Sequence, residues 1–281
     1  MGLQLIETAS HGNTDTANAA FWNELCGTNL ARQLGVSDRS PDSVRRFDKF
    51  YLDFYPYLLD RVRIASLRGK RVLEIGLGYG TLGQKIAEAG ADYVGLDIAE
   101  GPVEMMNHRL RMSGRPGVAQ LGSMLDCPLP DSSVDCVVSI GCFHHTGDAK
   151  RCFDETWRVL RPGGDAYIMV YNQLSYRQWM NWPLQTLRAV LSARALASPP
   201  RVSDSQRAAY DADSSGAVAP ETAFFSLGTL RAMLSKFSQA EMGLENCDQV
   251  AIRGRTLIPR RFLLATLGKA AGLDIYIAAR K

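Results

Sequence analysis

Residues 71–100 read RVLEIGLGYGTLGQKIAEAGADYVGLDIAE, and the fold turns on how they are divided. A short apolar run, RVLEI, breaks into Gly76, Gly78 and Gly80. A helical pattern follows, with Leu82, Ile86 and Ala89 on one side and Gly90 at its end. A second apolar run, YVGLDI, then closes on an acid, Asp97. Period-2 runs flanking a period-3.6 run spell strand, tight turn, helix, strand.

The alternation continues downstream. PVEMMNHRLRMSG reads as a helix closed by Gly114, VAQLG and CVVSIG as strands, AKRCFDETWRVLRPGG as a helix ending at Pro162-Gly163-Gly164, and DAYIMVY as a fifth strand. Repeated strand–helix units with short connections imply a parallel sheet covered on both faces. Such sheets take ligands beyond the carboxyl ends of their strands. Upstream, FWNELCGTNLARQLG and SPDSVRRFDKFYLDFYPYLLDRVRI are helical. The second carries Val44, Phe47, Phe50, Tyr51, Phe54, Tyr55 and Leu58 at helical spacing, with Ser43 or Asp42 as its cap.

After Tyr171 the pattern changes. NQLSYRQWMNWPLQTLRAVLSARALA reads as helix and ASPPRVSDSQRAAYDADSSGAVAP as a mobile loop. SLGTLRAMLSKF is a helix capped by Ser226. Two final strands, AEMGLENCDQV and GLDIYIAARK, are joined by one basic apolar helix, IPRRFLLATLGKAAG. The expectation is an α/β fold: a doubly wound, mostly parallel seven-stranded sheet with an antiparallel edge hairpin. A helical cover precedes it, and a helical insertion follows the fifth strand. The divisions fall at 1–68 (cover), 69–172 (nucleoside-binding core), 173–222 (insertion and loop over the site) and 223–281 (completion of the sheet).

Bulk composition narrows the function. The chain has 281 residues, 46% hydrophobic and 22% charged, enough for one large domain with a core. A net charge of +3 with scattered Lys and Arg argues against nucleic acid. No secretory leader is visible in MGLQLIETASHGNTDTANAA. No stretch is long enough and uncharged enough for stable membrane insertion; FLLATLGKAAGLDIYIAA is interrupted by Lys269 and Asp274. The six cysteines, Cys26, Cys127, Cys136, Cys142, Cys152 and Cys247, show no C-x-x-C pair and no histidine at metal spacing. They read as reduced thiols of a cytoplasmic protein without a metal site. The oligomeric state stays open, a homodimer among the options.

Glycine lets the backbone turn sharply and lets a ligand approach without a Cβ in the way. The helix N-terminus behind the turn favours an electron-rich group. An acid at the next strand tip, about twenty residues on, can accept bonds from both ribose hydroxyls. Two nucleoside ligands compete for this turn. Gly78-Tyr79-Gly80-Thr81-Leu82-Gly83 is a literal G-x-G-x-x-G, the dinucleotide pattern, which would make the protein an NAD(P)-dependent oxidoreductase. The strand ends before Gly76, however, which puts that match out of register. The other reading is acid-x-G-x-G-x-G from Glu74. It suits an adenosine joined to a cationic sulfonium amino acid, which brings no pyrophosphate. A non-catalytic module that keeps the nucleoside pocket is a third option.

With these motifs in order, residues 71–171 resemble the class I S-adenosylmethionine-dependent methyltransferases, the type 11 or UbiE-like branch. VLEIGLGYGTLG is similar to the family's first motif and YVGLDIAE to its second. LDCPLPDSSVDCVVSIGCFHHTGD resembles the adenine loop and fourth strand, and RVLRPGGDAYIMVYN the turn and fifth strand. The resemblance implies a Rossmann-like fold, S-adenosyl-L-methionine as cofactor and S-adenosyl-L-homocysteine as product. It implies that Glu74, Gly76, Gly78 and Gly80 hold the methionine part and ribose, that Asp97 takes the ribose hydroxyls and that Ile98 packs on adenine. Where the family often has an Asp, this chain has Gly122-Ser123-Met124; Ser123 accepts a bond there and Met124 packs on the ring. Gly141 and Cys142 line the sulfonium end.

Methyl transfer from a sulfonium needs alignment, exclusion of water and, for some acceptors, removal of a proton. His145 and His144 follow the fourth strand, where the methyl emerges, and are the base candidates. Structural roles, a helix cap or a bond to a backbone carbonyl, compete with this. Tyr171 and Asn172 end the fifth strand at the same edge. Trp22, Phe50, Tyr51, Tyr55 and Tyr57 form an aromatic lid or simply core. Tyr176, Trp179 and Trp182 offer a wall for the acceptor, and residues 198–220 a closing loop. Arg45 and Arg46 could hold an acceptor's anion or sit on a solvated face; Asp131 starts a turn, and His11 and His108 are surface residues. PLQTLRAVLSARALA packs on the sheet domain, with a membrane surface as its competing use. The expected acceptor is a small molecule methylated on oxygen or nitrogen.

Overall fold

The structure is a computed structural model, and it describes residues 14–23, 30, 34–36, 38–191, 202–213, 216–252 and 255–281. Among the helices that precede the sheet are α1 (14–23), α2 (Pro41–Phe54) and α3 (Leu58–Arg61). The cap of α2 is Ser40, whose Oγ accepts from the Ser43 N–H at 3.3 Å. Asp42 and Ser43 instead lie inside the first turn. Pro41 takes the first helical position, where its missing N–H costs nothing.

The alternating segment then forms β1 (Arg71–Ile75), α4 (Thr81–Glu88), β2 (Asp92–Asp97), α5 (Glu100–Ser113), β3 (Val118–Leu121), β4 (Val134–Ile140), α6 (Ala149–Val159) and β5 (Leu160–Tyr171). Gly114 closes α5 in a left-handed conformation, φ 61°. The insertion holds α7 (Tyr176–Asn181), α8 (Pro183–Leu191) and α9 (Asp204–Ala208). After α10 (Leu227–Met233) come β6 (Gln239–Glu245), a small hairpin β7 (Val250–Ile252) and β8 (Arg255–Ile258), α11 (Arg260–Leu264), α12 (Leu267–Ala271) and β9 (Asp274–Arg280).

Seven strands form one sheet in the order β3-β2-β1-β4-β5-β9-β6. From β3 to β5 every pairing is parallel. β9 runs antiparallel between β5 and β6, so the β6–β9 hairpin completes the edge. The chain winds outward from β1 to β3 and returns to β4. The crevice of such a sheet therefore opens at the carboxyl ends of β1 and β4.

Alternation along each strand fills both faces. Val72, Val138, Tyr167 and Met169 point to the side covered by Ile86 of α4 and Met106 of α5. Leu73, Ile75, Val137, Ile168 and Val170 point to the side covered by Phe153 of α6 and Leu230 of α10. Truncating one such side chain to Ala removes about 2–5 kcal/mol.

Three stretches depart from the sequence reading. The helix expected to end at Pro162-Gly163-Gly164 ends at Val159, and the Pro-Gly-Gly segment lies within β5. Pairing there jumps from Val134↔Leu160 to Cys136↔Asp165, because Pro162 cannot donate to a ladder and Gly163 takes φ +77°. The described part of the expected loop carries local regular structure. Ser203 and Gln206 form a capping box on α9, and Ala212 bridges Val218. Between β6 and β9, two short helices and the β7–β8 hairpin replace one helix, with Pro259 marking the start of α11. Among the described residues, no helix is long and apolar enough to cross a membrane.

Candidate active site

The turn after β1 carries two glycines with different tasks. Gly76 has φ +77°, and a Cβ there would lie 2.6 Å from the Cys142 Cβ; its absence lets the tips of β1 and β4 close on each other. Gly78 has φ +52°, and nothing lies within 4 Å of where its Cβ would stand. The first glycine thus brings two strand tips together, and the second leaves room at the mouth of the crevice. Gly80 closes the turn, donating to the Leu77 carbonyl at 2.9 Å and starting α4.

Asp97 stands at the tip of β2, 7% exposed. Its Oδ2 accepts from the Leu77 N–H of the glycine turn at 2.7 Å, and its Oδ1 from the Ala99 N–H at 2.9 Å. One carboxylate therefore ties the turn to β2 and to the start of α5. Burial raises its pKa, and the backbone donors oppose that shift. Glu74, inside β1, is 2% exposed. Its Oε2 accepts from the Tyr93 hydroxyl at 2.5 Å. Burial pushes its pKa up to about 8, with Tyr93 holding it down and Asp97 adding to the rise.

Around these groups the crevice has three chambers, and Gly76 borders all of them. The inner one, about 180 Å³, is lined by Glu74, Gly78, Tyr79 and Tyr51. A narrow one of about 40 Å³ runs past Asp97, Ile98, Ser123 and Met124. Ser123 spends an Oγ lone pair on the Leu125 N–H at 3.2 Å. The widest, about 320 Å³, reaches from Gly78 and Asp97 across Gly141 and Cys142 to His145. Its far wall is Tyr51, Tyr55, Met169, Tyr171, Asp211 and Tyr276.

His145 is held from several directions. Its Nδ1 lies 2.7 Å from the Glu221 carbonyl oxygen. A carbonyl only accepts, so Nδ1 carries the hydrogen and Nε2 presents its lone pair. Nε2 lies 3.5 Å from Asp211 Oδ2, and that oxygen accepts from the Tyr171 hydroxyl at 2.9 Å. The Trp22 ring of α1 packs 4.6 Å from the imidazole, and Asn18 donates to the His145 carbonyl at 2.7 Å. Burial lowers the His145 pKa, and the Asp211 charge works against that shift. His144 differs. It is 1% exposed, packs on Tyr171 at 3.9 Å, and among the described residues has no hydrogen-bond partner for either ring nitrogen. It sits behind the wall and does not border the chambers.

Residues 73–168 match the family model described as a methyltransferase domain. The match marks these residues as similar to a methyltransferase domain. Over 117 residues the chain is 34% identical to a protein named "Probable S-adenosylmethionine-dependent methyltransferase" from Mycolicibacterium smegmatis, covering 41% of this chain and 44% of that one. Over 109 residues it is 30% identical to a demethylmenaquinone methyltransferase of Clavibacter sepedonicus, covering 39% and 44%. The chain thus spans less than half the length of these curated relatives. The solved YcgJ protein of Bacillus subtilis shares the fold, with a TM-score of 0.52 at 19% identity over 81% of this chain and 98% of its own. The cofactor of the family is S-adenosylmethionine.

The matched domain brings together Glu74, Gly76, Gly78, Asp97, Ile98, Ser123, Met124, Gly141, Cys142 and His145 around one crevice. Of the expected aromatic lid, Trp22, Tyr51 and Tyr55 border it. Phe50 is 39% exposed, and Tyr57 packs behind Tyr276 at 5.6 Å. Tyr176 donates to Asp248 at 2.6 Å, and Tyr176, Trp179 and Trp182 border none of the three chambers. Arg45 pairs with Asp42, Arg46 with the carbonyls of Leu34 and Gly35, and Asp131 with Arg158. Asn172 holds the Gly272 carbonyl at 2.7 Å. His108 meets the Arg39 carbonyl, while His11 and Cys26 lie outside the described residues.

Sequence reasoning missed Asp211, Met169 and Tyr276 as wall residues. It also missed the latch that seats the cover. Arg109 of α5, wholly buried, meets both oxygens of Asp48 of α2 at 2.9 Å, and Thr81 at the start of α4 donates to the same carboxylate at 2.6 Å. Gly83 completes the packing below, because a Cβ there would overlap Glu74 Oε2. The only sequence signal for this cluster was Gly83 as the last glycine of the G-x-G-x-x-G match. Nothing local marked Asp211, one of several acids in a Ser/Asp-rich stretch.

Proposed function

We propose that the protein transfers a methyl group from S-adenosylmethionine to an oxygen or nitrogen of a small-molecule acceptor in a cytoplasmic setting. The observation that carries this reading is the continuity of one crevice from the Gly76–Gly78 turn and Asp97, past Cys142, to the Nε2 side of His145. The residues suit the cofactor. Asp97 keeps lone pairs for the ribose hydroxyls beyond its two backbone bonds. Ile98 and Met124 flank the narrow chamber for adenine. Glu74 borders the inner chamber as a partner for the cofactor's ammonium.

When bound, the cofactor supplies an activated methyl group. The chain's own residues supply position and proton handling. Gly141 and Cys142 border the path between cofactor turn and acceptor wall. The acceptor chamber is lined by α1 and α2 on one side and the insertion on the other, which limits the approach of water. His145, neutral and with Nε2 free to accept, takes the proton of the attacking group.

Calorimetry with S-adenosylhomocysteine and with NAD tests the first half. Tighter binding of NAD overturns the reading. Transfer of label from methyl-labelled cofactor into small molecules of a cell extract tests the second half. His145→Ala should reduce labelled product about 10²-fold or more. A variant with near-normal turnover removes His145 from proton transfer.

A further inference from the structure

The widest chamber has an unusual balance of side chains. Among the described residues sixteen border it, and none of these is Lys or Arg. The half beyond Gly141 offers the rings of Tyr51, Tyr55, Tyr171 and Tyr276, and one carboxylate, Asp211. Asp211 is fixed in place. Its N–H donates to the Arg207 carbonyl at 2.9 Å, its carbonyl accepts from Ala219 at 3.2 Å, and its Oδ2 holds the Tyr171 hydroxyl. The rings are ordered against one another: Tyr51 and Tyr55 at 5.0 Å, and Tyr276 against Tyr57 at 5.6 Å.

A second acid lies behind the same wall, where burial pushes its pKa up to about 7, so that it is partly protonated at neutral pH. Asp274 starts β9 directly opposite Tyr171 in the sheet, 1% exposed, with no partner for its Oδ2. The Tyr276 hydroxyl beside it is also buried without a partner. The guanidiniums whose charge reaches Asp274 do not border the chamber and are bonded to other groups: Arg177 to Asp248 and the Ala209 carbonyl, Arg260 to Asn246 and the carbonyls of Cys247 and Phe54. An anionic acceptor would find no cation here. A cation finds ring faces and a carboxylate.

We propose that the acceptor is an amine, which enters as its ammonium and is held by Asp211 within the cage of Tyr51, Tyr55, Tyr171 and Tyr276. This rests on the methyltransferase reading above. In the step itself the ammonium first gives one proton to Nε2 of His145, which frees the nitrogen lone pair. That pair forms the new N–C bond while the C–S bond pair stays on sulfur. The sulfonium becomes a neutral thioether, and the product leaves as a methylated ammonium. The sulfonium's charge across the chamber favours loss of the amine proton, and the imidazole passes that proton to solvent. Asp211 is a binding group that also sets the field at Nε2.

The test uses three probes of one size and three charges: benzylamine, benzyl alcohol and benzoate. Each is titrated calorimetrically at neutral pH into the full chain saturated with S-adenosylhomocysteine. The expected result is benzylamine binding at least tenfold tighter than benzyl alcohol, with benzoate undetected. In Asp211→Asn, and independently in Tyr55→Leu, the preference for amine over alcohol should fall to about threefold or less. Equal binding of amine and alcohol, preference for benzoate, absence of amine binding, or an undiminished preference in both variants each overturns the proposal. Failure of S-adenosylhomocysteine itself to bind the wild-type chain is a different result: it removes the cofactor reading, and this proposal with it.

Discussion

Binding of the cofactor product should expel a proton, and Glu74 should be its source. The carboxyl is buried in β1, bonded to Tyr93 and close enough to Asp97 to feel its charge, and its pKa stands near 8. At pH 7 roughly nine-tenths of the empty protein therefore carries Glu74 as the acid. The ammonium of S-adenosylhomocysteine, seated in the inner chamber, favours the carboxylate and drives the proton out. Binding should then release close to one proton, and affinity should rise about tenfold per pH unit between about pH 5.5 and 7.5, equivalent to roughly 1.4 kcal/mol per unit. The sign follows from linkage: a reaction that releases a proton is favoured by raising the pH, up to the pKa of the empty state. The assay is titration calorimetry at pH 7 in phosphate and in Tris, whose ionisation enthalpies differ widely. The apparent enthalpy should differ between buffers in proportion to the protons released. Glu74→Gln should remove that difference and flatten the pH profile. Identical enthalpies in both buffers would refute the reasoning, because Glu74 would not then be the ammonium's partner. A full buffer dependence surviving in Glu74→Gln would move the proton to another group, with Asp97 first in line.

Asp97→Asn should weaken S-adenosylhomocysteine by about 1.5–3 kcal/mol, the size of charge-assisted hydrogen bonds, while one acceptor remains for the Leu77 N–H; unchanged affinity by calorimetry would remove Asp97 from the ribose site. Asp48→Ala strands the buried Arg109 guanidinium and should cost about 3–5 kcal/mol in urea unfolding. Asp48→Leu combined with Arg109→Met should recover most of that loss, and no recovery would show that the latch does more than pair charges. His144 is buried neutral with a lowered pKa, so the unfolded chain binds a proton there below about pH 6.5 while the folded chain does not. Stability should therefore drop as pH falls through that value, and His144→Phe, which keeps a ring against Tyr171, should gain on the wild type by up to roughly 1.4 kcal/mol per pH unit. Parallel melting curves from pH 7 to 5 would contradict this.

The elements whose pattern is local were legible. β1, α4 and β2 lie where the runs of residues 71–97 put them, and Gly114 and Ser226 end and begin helices as their types suggest. What failed was long-range. The Pro-Gly-Gly segment reads as a helix stop, yet it is carried into β5 as a bulge that β4 does not pair, held from the other side by the backbone of Lys281. Ser40 rather than Ser43 caps α2, since Pro41 already fits the first helical turn. The Asp48–Arg109 pair joins residues 61 apart in the chain, and no local rule could match them.

The same division runs through the crevice. The proposed cofactor half is built from short runs at the tips of β1 to β4, so motifs could announce it. The acceptor half is assembled from α1, α2, β5, β9 and the insertion, each giving one or two side chains. That assembly is costly. Asp274 Oδ2 and the Tyr276 hydroxyl stay buried without partners, and such groups cost about 1–3 kcal/mol each. A sequence under selection for stability alone would replace Tyr276 by Phe with little change of shape. Retaining a polar, electron-rich wall at a cost in stability is what a ligand site requires, because groups fixed before the ligand arrives need no reorganisation when it binds. The amine proposal rests on the balance of that wall, one bordering carboxylate and four tyrosine rings with no Lys or Arg among the described lining residues.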